Sequence, residues 1–245
     1  SYLRDLGHND GLEQLIDAVE KIDGVKTARI LYLYPSTTTH NLIDKIADSK
    51  VFVNYFDMPL QHISQNMLKI MKRGKGAEKL IELMNYMKSK PNSFVRTTFI
   101  AGHPGESEED FEELCSFVEE FGFDRGNVFS YSDEEGTSAE TRDDKIEQEL
   151  IDERAEILGD IISQTTIKSL ENDIGKSFEV YIDGESEEHE YLLSARKTIW
   201  APQIDGEIYI NDNEDNIPIV FGEIYEVEAT QLAGDKLLAK IIRKV

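Results

Sequence analysis

Apolar and polar positions follow two rhythms along this chain. In residues 11–22, Leu12, Leu15, Ile16 and Val19 recur at helical spacing and predict an amphipathic helix. The same spacing predicts helices over 39–47, 64–71, 77–89, 107–121 and 145–171. In the last of these, Ile146, Leu150, Ile157, Leu158, Ile161 and Ile162 are read as one face. Ser107 with Asp110 three residues on predicts a capped start for the 107–121 helix. Between the helices lie short apolar runs, 29–34, 51–59, 94–101 and 127–131, which predict strands. Strands that alternate with helices specify a parallel sheet, open or closed into a barrel. Four such strands are too few for an eight-stranded barrel.

After Gly175 the texture becomes β-rich. Runs at 178–182, 207–210, 224–229 and 237–241 are separated by turns such as Ile204-Asp205-Gly206 and Ala233-Gly234-Asp235. They predict a small all-β barrel or sandwich. The expected organisation is an α/β domain over residues 1–172 and a β domain over 173–245.

Composition narrows the function classes. The chain has 245 residues, of which 40% are hydrophobic, as in a globular protein rather than a disordered one. No segment approaches eighteen consecutive apolar residues, so no membrane span is expected. Cys115 is the single cysteine, which excludes a disulfide within the chain. With no signal peptide, the expected setting is cytoplasmic. Cys115 shares an apolar helical stripe with Phe111, Leu114 and Val118, a core position rather than a nucleophile. One cysteine and five scattered histidines give no zinc or iron–sulfur spacing, so no metal ligands are assigned. No Gly-x-Ser-x-Gly elbow is present.

Net charge is −23. Such a surface repels phosphate backbones and attracts basic partners, or serves solubility alone. Residues 173–245 hold 16 acidic against 7 basic residues, with Glu185, Glu187 and Glu188 clustered about one turn. The basic face with which small β-barrels bind nucleic acid is missing, so strong nucleic-acid binding is not expected.

Candidate chemistry gathers at two strand ends. The run 94–101 ends in Gly102-His103-Pro104-Gly105-Glu106 and opens a helix, a turn that brings backbone close to a ligand or merely turns sharply. The run 51–59 leads into Asp57-Met58-Pro59-Leu60-Gln61-His62. Gln61 offers a donor and an acceptor suited to a ribose or an amide. His62 reads as a base, a ligand or a structural donor. Arg96, in an apolar strand, requires an anion, either a ligand carboxylate or a neighbouring acid. In α/β proteins such strand ends open onto the ligand.

These motifs, in this order, resemble the radical S-adenosylmethionine methylthiotransferases. The residues that carry the likeness are Leu31-Tyr32-Leu33-Tyr34-Pro35-Ser36, Asp57-Met58-Pro59-Leu60-Gln61-His62-Ile63-Ser64, Met71-Lys72-Arg73-Gly74, Arg96-Thr97-Thr98-Phe99-Ile100-Ala101-Gly102-His103-Pro104-Gly105-Glu106 and Tyr131-Ser132-x-Glu134-Glu135-Gly136-Thr137. The segment Ala201-Pro202-Gln203-Ile204-Asp205-Gly206 looks like that family's TRAM barrel. The resemblance implies a partial (βα)6 radical S-adenosylmethionine barrel holding strands three to six, followed by an OB-like TRAM barrel. Glu134-Glu135-Gly136-Thr137 resembles the branch that modifies an aspartate of the small-subunit ribosomal protein S-twelve. The tRNA-modifying branch usually carries arginine there.

The family uses S-adenosylmethionine and two four-iron clusters, whose cysteine ligands are absent from this sequence. The likeness therefore implies a chain that begins inside the barrel, without catalytic activity of its own. It also implies cofactor contacts by Gln61, Arg96, Thr98, Gly102, Pro104 and Gly105, with Arg96 facing the methionine carboxylate. It implies contacts of Glu134, Glu135, Glu185, Glu187 and Glu188 with a basic ribosomal protein, and a separate electron donor. His103 stands where the family usually has phenylalanine. The alternatives are a tRNA adenosine methylthiotransferase, a non-catalytic acidic binding module, and an ordinary barrel enzyme acting on a phosphorylated metabolite.

Overall fold

The computed structural model describes residues 2–74, 76–213 and 216–245, excepting the Asp5 side chain. The chain divides into two compact units, Ser1–Thr165 and Thr166–Val245. Among the described residues no helix is long and apolar enough to cross a membrane.

The first unit is a parallel sheet in sequential order, β1 (Ala28–Ile30), β2 (Phe52–Asp57), β3 (Phe94–Ala101) and β4 (Arg125–Ser130). Helix α1 (Gly11–Val19) precedes the sheet, and α2 (His40–Ala47), α3 (Gln65–Ile70), α4 (Ala77–Lys88) and α5 (Glu108–Phe121) make the crossovers. Local chemistry sets their ends. Thr39, Ser64 and Ser107 accept backbone N–H groups at the starts of α2, α3 and α5, and Ser107 with Asp110 forms the expected capping box. Gly122, at φ +65°, ends α5.

The core lies between sheet and helices. Phe56 and Phe99 from the strands meet Met84 and Met87 of α4 and Leu114 and Val118 of α5, all buried. Burying each such side chain contributes about 1.5–3 kcal/mol.

Helix α6 (Gln148–Glu171) runs across the division between the units. Leu158 and Ile162 enter the first unit's core, while Leu150 and Ile157 are exposed. The single apolar face expected for this helix is therefore split, because the buried stripe runs through Ile151, Leu158 and Ile162. Strand β1 is shorter than the 29–34 expected. After Ile30 the Tyr32 N–H donates to the Asp57 side chain at 3.1 Å, and the Leu33 N–H rejoins the Asp57 carbonyl at 2.7 Å. That diversion puts Tyr32 at φ +60°.

The second unit is a closed barrel in the order β5 (Ser177–Glu185), β6 (Leu193–Lys197), β7 (Ile208–Asp212), β9 (Lys236–Lys244), β8 (Ile224–Ala233). Inward side chains alternate along β8 and β9, with Tyr225, Val227, Ala229, Leu237 and Ala239 buried. The chain's one tryptophan, Trp200, is 2% exposed here. Strand β6 is the one the sequence pattern misses. Leu193-Ser194-Ala195-Arg196-Lys197 buries only Ala195, too weak an alternation to stand out.

Candidate functional site

The carboxyl ends of β2, β3 and β4 open onto a cavity of about 640 Å³, within the range of small-molecule sites. Strand alternation decides what reaches it. Along β3, Arg96, Thr98 and Ile100 line the cavity, while Val95 and Phe99 enter the core on the opposite face. Gln61 reaches the cavity by pairing with β3 again after β2 has ended. Its N–H donates to the Thr98 carbonyl and its carbonyl accepts from the Ile100 N–H, both at 2.9 Å. This bridge holds Gln61 at φ +71°, a strained conformation outside glycine.

Arg96 has an anion within the fold. Its Nη1 donates to Asp57 Oδ1 at 3.1 Å, and its Nη2 lies 2.7 Å from the Asn127 side-chain oxygen when that amide faces it. Asp57 is 0% exposed and the Arg96 side chain 12%. Of the two anions that the sequence left open, the neighbouring acid is present. The arginine still borders the cavity, as does Asn127.

His103 also lines the cavity. Its Nδ1 lies 2.9 Å from the Pro104 carbonyl, which can only accept, so Nδ1 carries the proton. Burial holds the imidazole below its ordinary pKa, despite the hydrogen bond to Pro104. The ring is neutral at pH 7, with Nε2 an acceptor. The ring packs edge-to-face with that of Tyr131, their centroids 4.9 Å apart. The Tyr131 hydroxyl donates to Asp133 at 2.6 Å and is pushed up to about 12 by burial and by that carboxylate.

Gly102, Pro104 and Gly105 shape the turn behind this wall and do not line the cavity. Gly102 has φ +80°, and a Cβ on it would stand 2.6 Å from Ile151 of α6. Gly105 has φ +88° and faces Arg142 just as closely. Glu106 fastens the turn. It accepts from the Gly102 N–H at 3.0 Å and from Arg154 of α6 at 2.9 Å. His62 Nε2 lies 3.6 Å from the same carboxylate, and its Nδ1 accepts from the Ser64 N–H at 3.0 Å. His62 is wholly buried and takes the structural role among the three the sequence allowed.

Glu134 borders the cavity, whereas Glu135 does not. Glu185, Glu187 and Glu188 line a different cleft, about 720 Å³ and within the second unit, with Asp183, Glu207 and Lys236. Lys236 donates to Glu188 at 2.7 Å and to Glu207 at 3.1 Å, so part of that acidity is neutralised. Burial raises the Asp183 carboxyl above the usual range. The cleft keeps an acidic excess suited to a cationic ligand.

Sequence reasoning assigned no role to Tyr32, Lys72, Arg73, Asn127 or Phe129, all of which line the cavity. Tyr32, Lys72 and Arg73 stand in quoted motifs, though no role was drawn from them. The others reach the site by strand pairing, which a linear pattern does not display.

Among the described residues no group of three or more histidine, cysteine, aspartate or glutamate side chains is placed to hold a metal. Cys115 is half-buried on α5, and burial pushes its thiol up to about 11. The thiolate set of an iron–sulfur cluster is therefore not supplied by these residues.

Comparison with known proteins adds the following. Residues 6–118 match the Radical SAM superfamily and residues 174–242 match the TRAM domain. The chain is 77% identical over 99% of its length to a ribosomal protein uS12 methylthiotransferase RimO of Aliarcobacter butzleri, and 59% identical over its full length to the RimO of a Sulfurovum species. It covers 55% of each, so it spans about half the length of the curated relatives it matches. A Campylobacter jejuni RimO is 53% identical over the full chain. Among solved structures, the radical SAM enzyme coproporphyrinogen III oxidase HemN from Escherichia coli is similar in fold. The TM-score is 0.51 at 15% identity, over 97% of this chain and 57% of that one.

Proposed function

We propose that this chain, similar along nearly its whole length to RimO methylthiotransferases, forms the ligand-binding part of an enzyme that adds a methylthio group to an aspartate of ribosomal protein S-twelve. The observation that carries this reading is the cavity at the strand ends, where Gln61, Arg96, Thr98 and His103 converge beside the rings of Phe129 and Tyr131. These donors, acceptors and rings suit a nucleoside joined to an amino acid, as in S-adenosylmethionine.

Reduced at an iron–sulfur cluster, S-adenosylmethionine supplies a carbon-centred radical in such enzymes. This chain holds no fitting thiolates, so no cluster step is assigned to it. Its own contribution is positional. The Gln61 amide offers hydrogen bonds to a ribose. Neutral His103 presents Nε2 to an N–H or O–H group. Asp57 and Asn127 hold the Arg96 guanidinium at the cavity wall. Phe129 and Tyr131 supply apolar faces. A separate electron donor and a cytoplasmic setting belong to the same reading.

The acidic cleft of the second unit supports a basic protein as the partner, and Glu134 beside the first cavity adds one more anionic contact. The test is mass spectrometry of protein S-twelve and of total tRNA nucleosides from a strain lacking the gene. Loss of the methylthio group from the protein alone is expected. Loss from tRNA alone replaces this reading with the tRNA enzyme, and no change in either leaves a binding module.

A further inference from the structure

The charge that faces the first cavity does not come chiefly from the arginine at its wall. Three cationic side chains line it, Arg96, Lys72 and Arg73, against a single carboxylate, Glu134. The charge of Arg96 is offset at 3.1 Å by buried Asp57. Lys72 and Arg73, just past the end of α3, form no ion pair among the described residues. That is unusual company on a chain with 49 acidic and 26 basic residues, where Lys45, Lys90, Lys145, Lys197 and Lys236 each meet a carboxylate.

Backbone geometry presents the two side chains. Lys72 adopts φ +57°, a conformation that costs a lysine free energy and persists where the surroundings enforce it. The Lys72 N–H returns to the Lys69 carbonyl and the Arg73 N–H to the Leu68 carbonyl, so the backbone donors are already used. An anion here is met by side chains. The Arg73 guanidinium rests over the Tyr34 ring at 5.6 Å, which limits the directions it samples. Cations also suit a helix C-terminus, but α3 has six residues and Lys69 already occupies its last turn.

We propose that Lys72 and Arg73 form the carboxylate-binding site of this cavity. The inference rests on the cavity being the S-adenosylmethionine site. One chemistry has two sources, the amino-acid end of the cofactor or the side chain of the target aspartate. Arg96 and its partner then provide directed hydrogen bonds at the wall, and the Lys72–Arg73 pair provides the net charge.

The test uses the full-length holoenzyme that contains this chain. Calorimetry measures binding of S-adenosylhomocysteine and of its decarboxylated analogue, which keeps the amine and the nucleoside. If the wild-type protein binds neither, the reading of the cavity fails independently of this inference. The double variant Lys72→Met/Arg73→Met is expected to bind S-adenosylhomocysteine on the order of tenfold more weakly, with the decarboxylated analogue unchanged. That analogue doubles as the control for folding. Lys72→Arg/Arg73→Lys is expected to recover most of the loss. If S-adenosylhomocysteine binding holds while a target peptide binds more weakly, and the loss vanishes when asparagine replaces the peptide's aspartate, the target is the source of the carboxylate. Unchanged binding of all three probes, or equal losses for S-adenosylhomocysteine and its decarboxylated analogue, overturns the proposal.

Discussion

Asp57 ties β2 to β3 and to the segment that follows β1. It neutralises Arg96 and accepts the Tyr32 N–H through its carboxylate, while its carbonyl takes the Leu33 N–H. Removing one partner of a buried pair strands the other. Arg96→Ala is therefore expected to destabilise the protein by about 3 kcal/mol, read from urea unfolding, and to weaken S-adenosylmethionine binding in the full-length enzyme. An unchanged affinity would remove Arg96 from the ligand contacts. His103 gives a second prediction, with a definite sign. Burial lowers its pKa in the folded state from an ordinary 6.5. The unfolded chain then binds the proton more readily, so the histidine's contribution to stability is present above about pH 6.5 and is lost as pH falls below it. His103→Phe is expected to lose less stability than wild type on acidification through that range, measured by thermal unfolding at a series of pH values. The partner of Arg96 was only half legible in sequence. An arginine in an apolar strand demands an anion, but a ligand and an acid 39 residues away make the same demand.

At the scale of elements, the alternation of strands and helices and the Ser107–Asp110 cap of α5 were readable, because they depend on neighbours three or four residues apart. What joins the elements was not. Gly102 reads as a loop glycine, yet its bare Cα is required by Ile151 of α6. Gly102→Ala adds a methyl group 2.6 Å from that side chain at φ +80°. The expected loss is about 2–3 kcal/mol. Ile151→Ala in the same background is expected to relieve the steric part and leave the backbone part, a non-additivity visible in a double-mutant cycle. Asp110 joins α3 to α5 in a similar way. It accepts from Asn66 at 2.8 Å and from the Ser107 N–H at 3.1 Å, and Ser64 donates to its other oxygen. Its burial opposes ionisation, but these donors outweigh it and hold the carboxyl below the usual range. Its stabilisation is present above about pH 4 and disappears as pH falls further. Asp110→Asn is expected to cost about 1–3 kcal/mol near neutral pH and progressively less in acid.

At the scale of the whole chain, the two units carry different chemistry. The first has a mixed cavity with neutral histidine and aromatic walls, and the second an acidic cleft. If the cleft serves a basic protein, binding of a lysine-rich peptide from S-twelve should weaken about tenfold between low and physiological salt, mainly through slower association. An affinity indifferent to salt would assign the charge to solubility alone. Trp200 has a practical consequence. It is the chain's single indole, and it lies in the small barrel. Light absorbed at the red edge of the protein spectrum is therefore emitted from the second unit alone. A shift of that emission to longer wavelength registers water reaching the barrel interior, whatever the parallel sheet is doing. Circular dichroism of the helices follows mainly the first unit. Recorded on one sample, the two signals time the opening of each unit without a dye or a label.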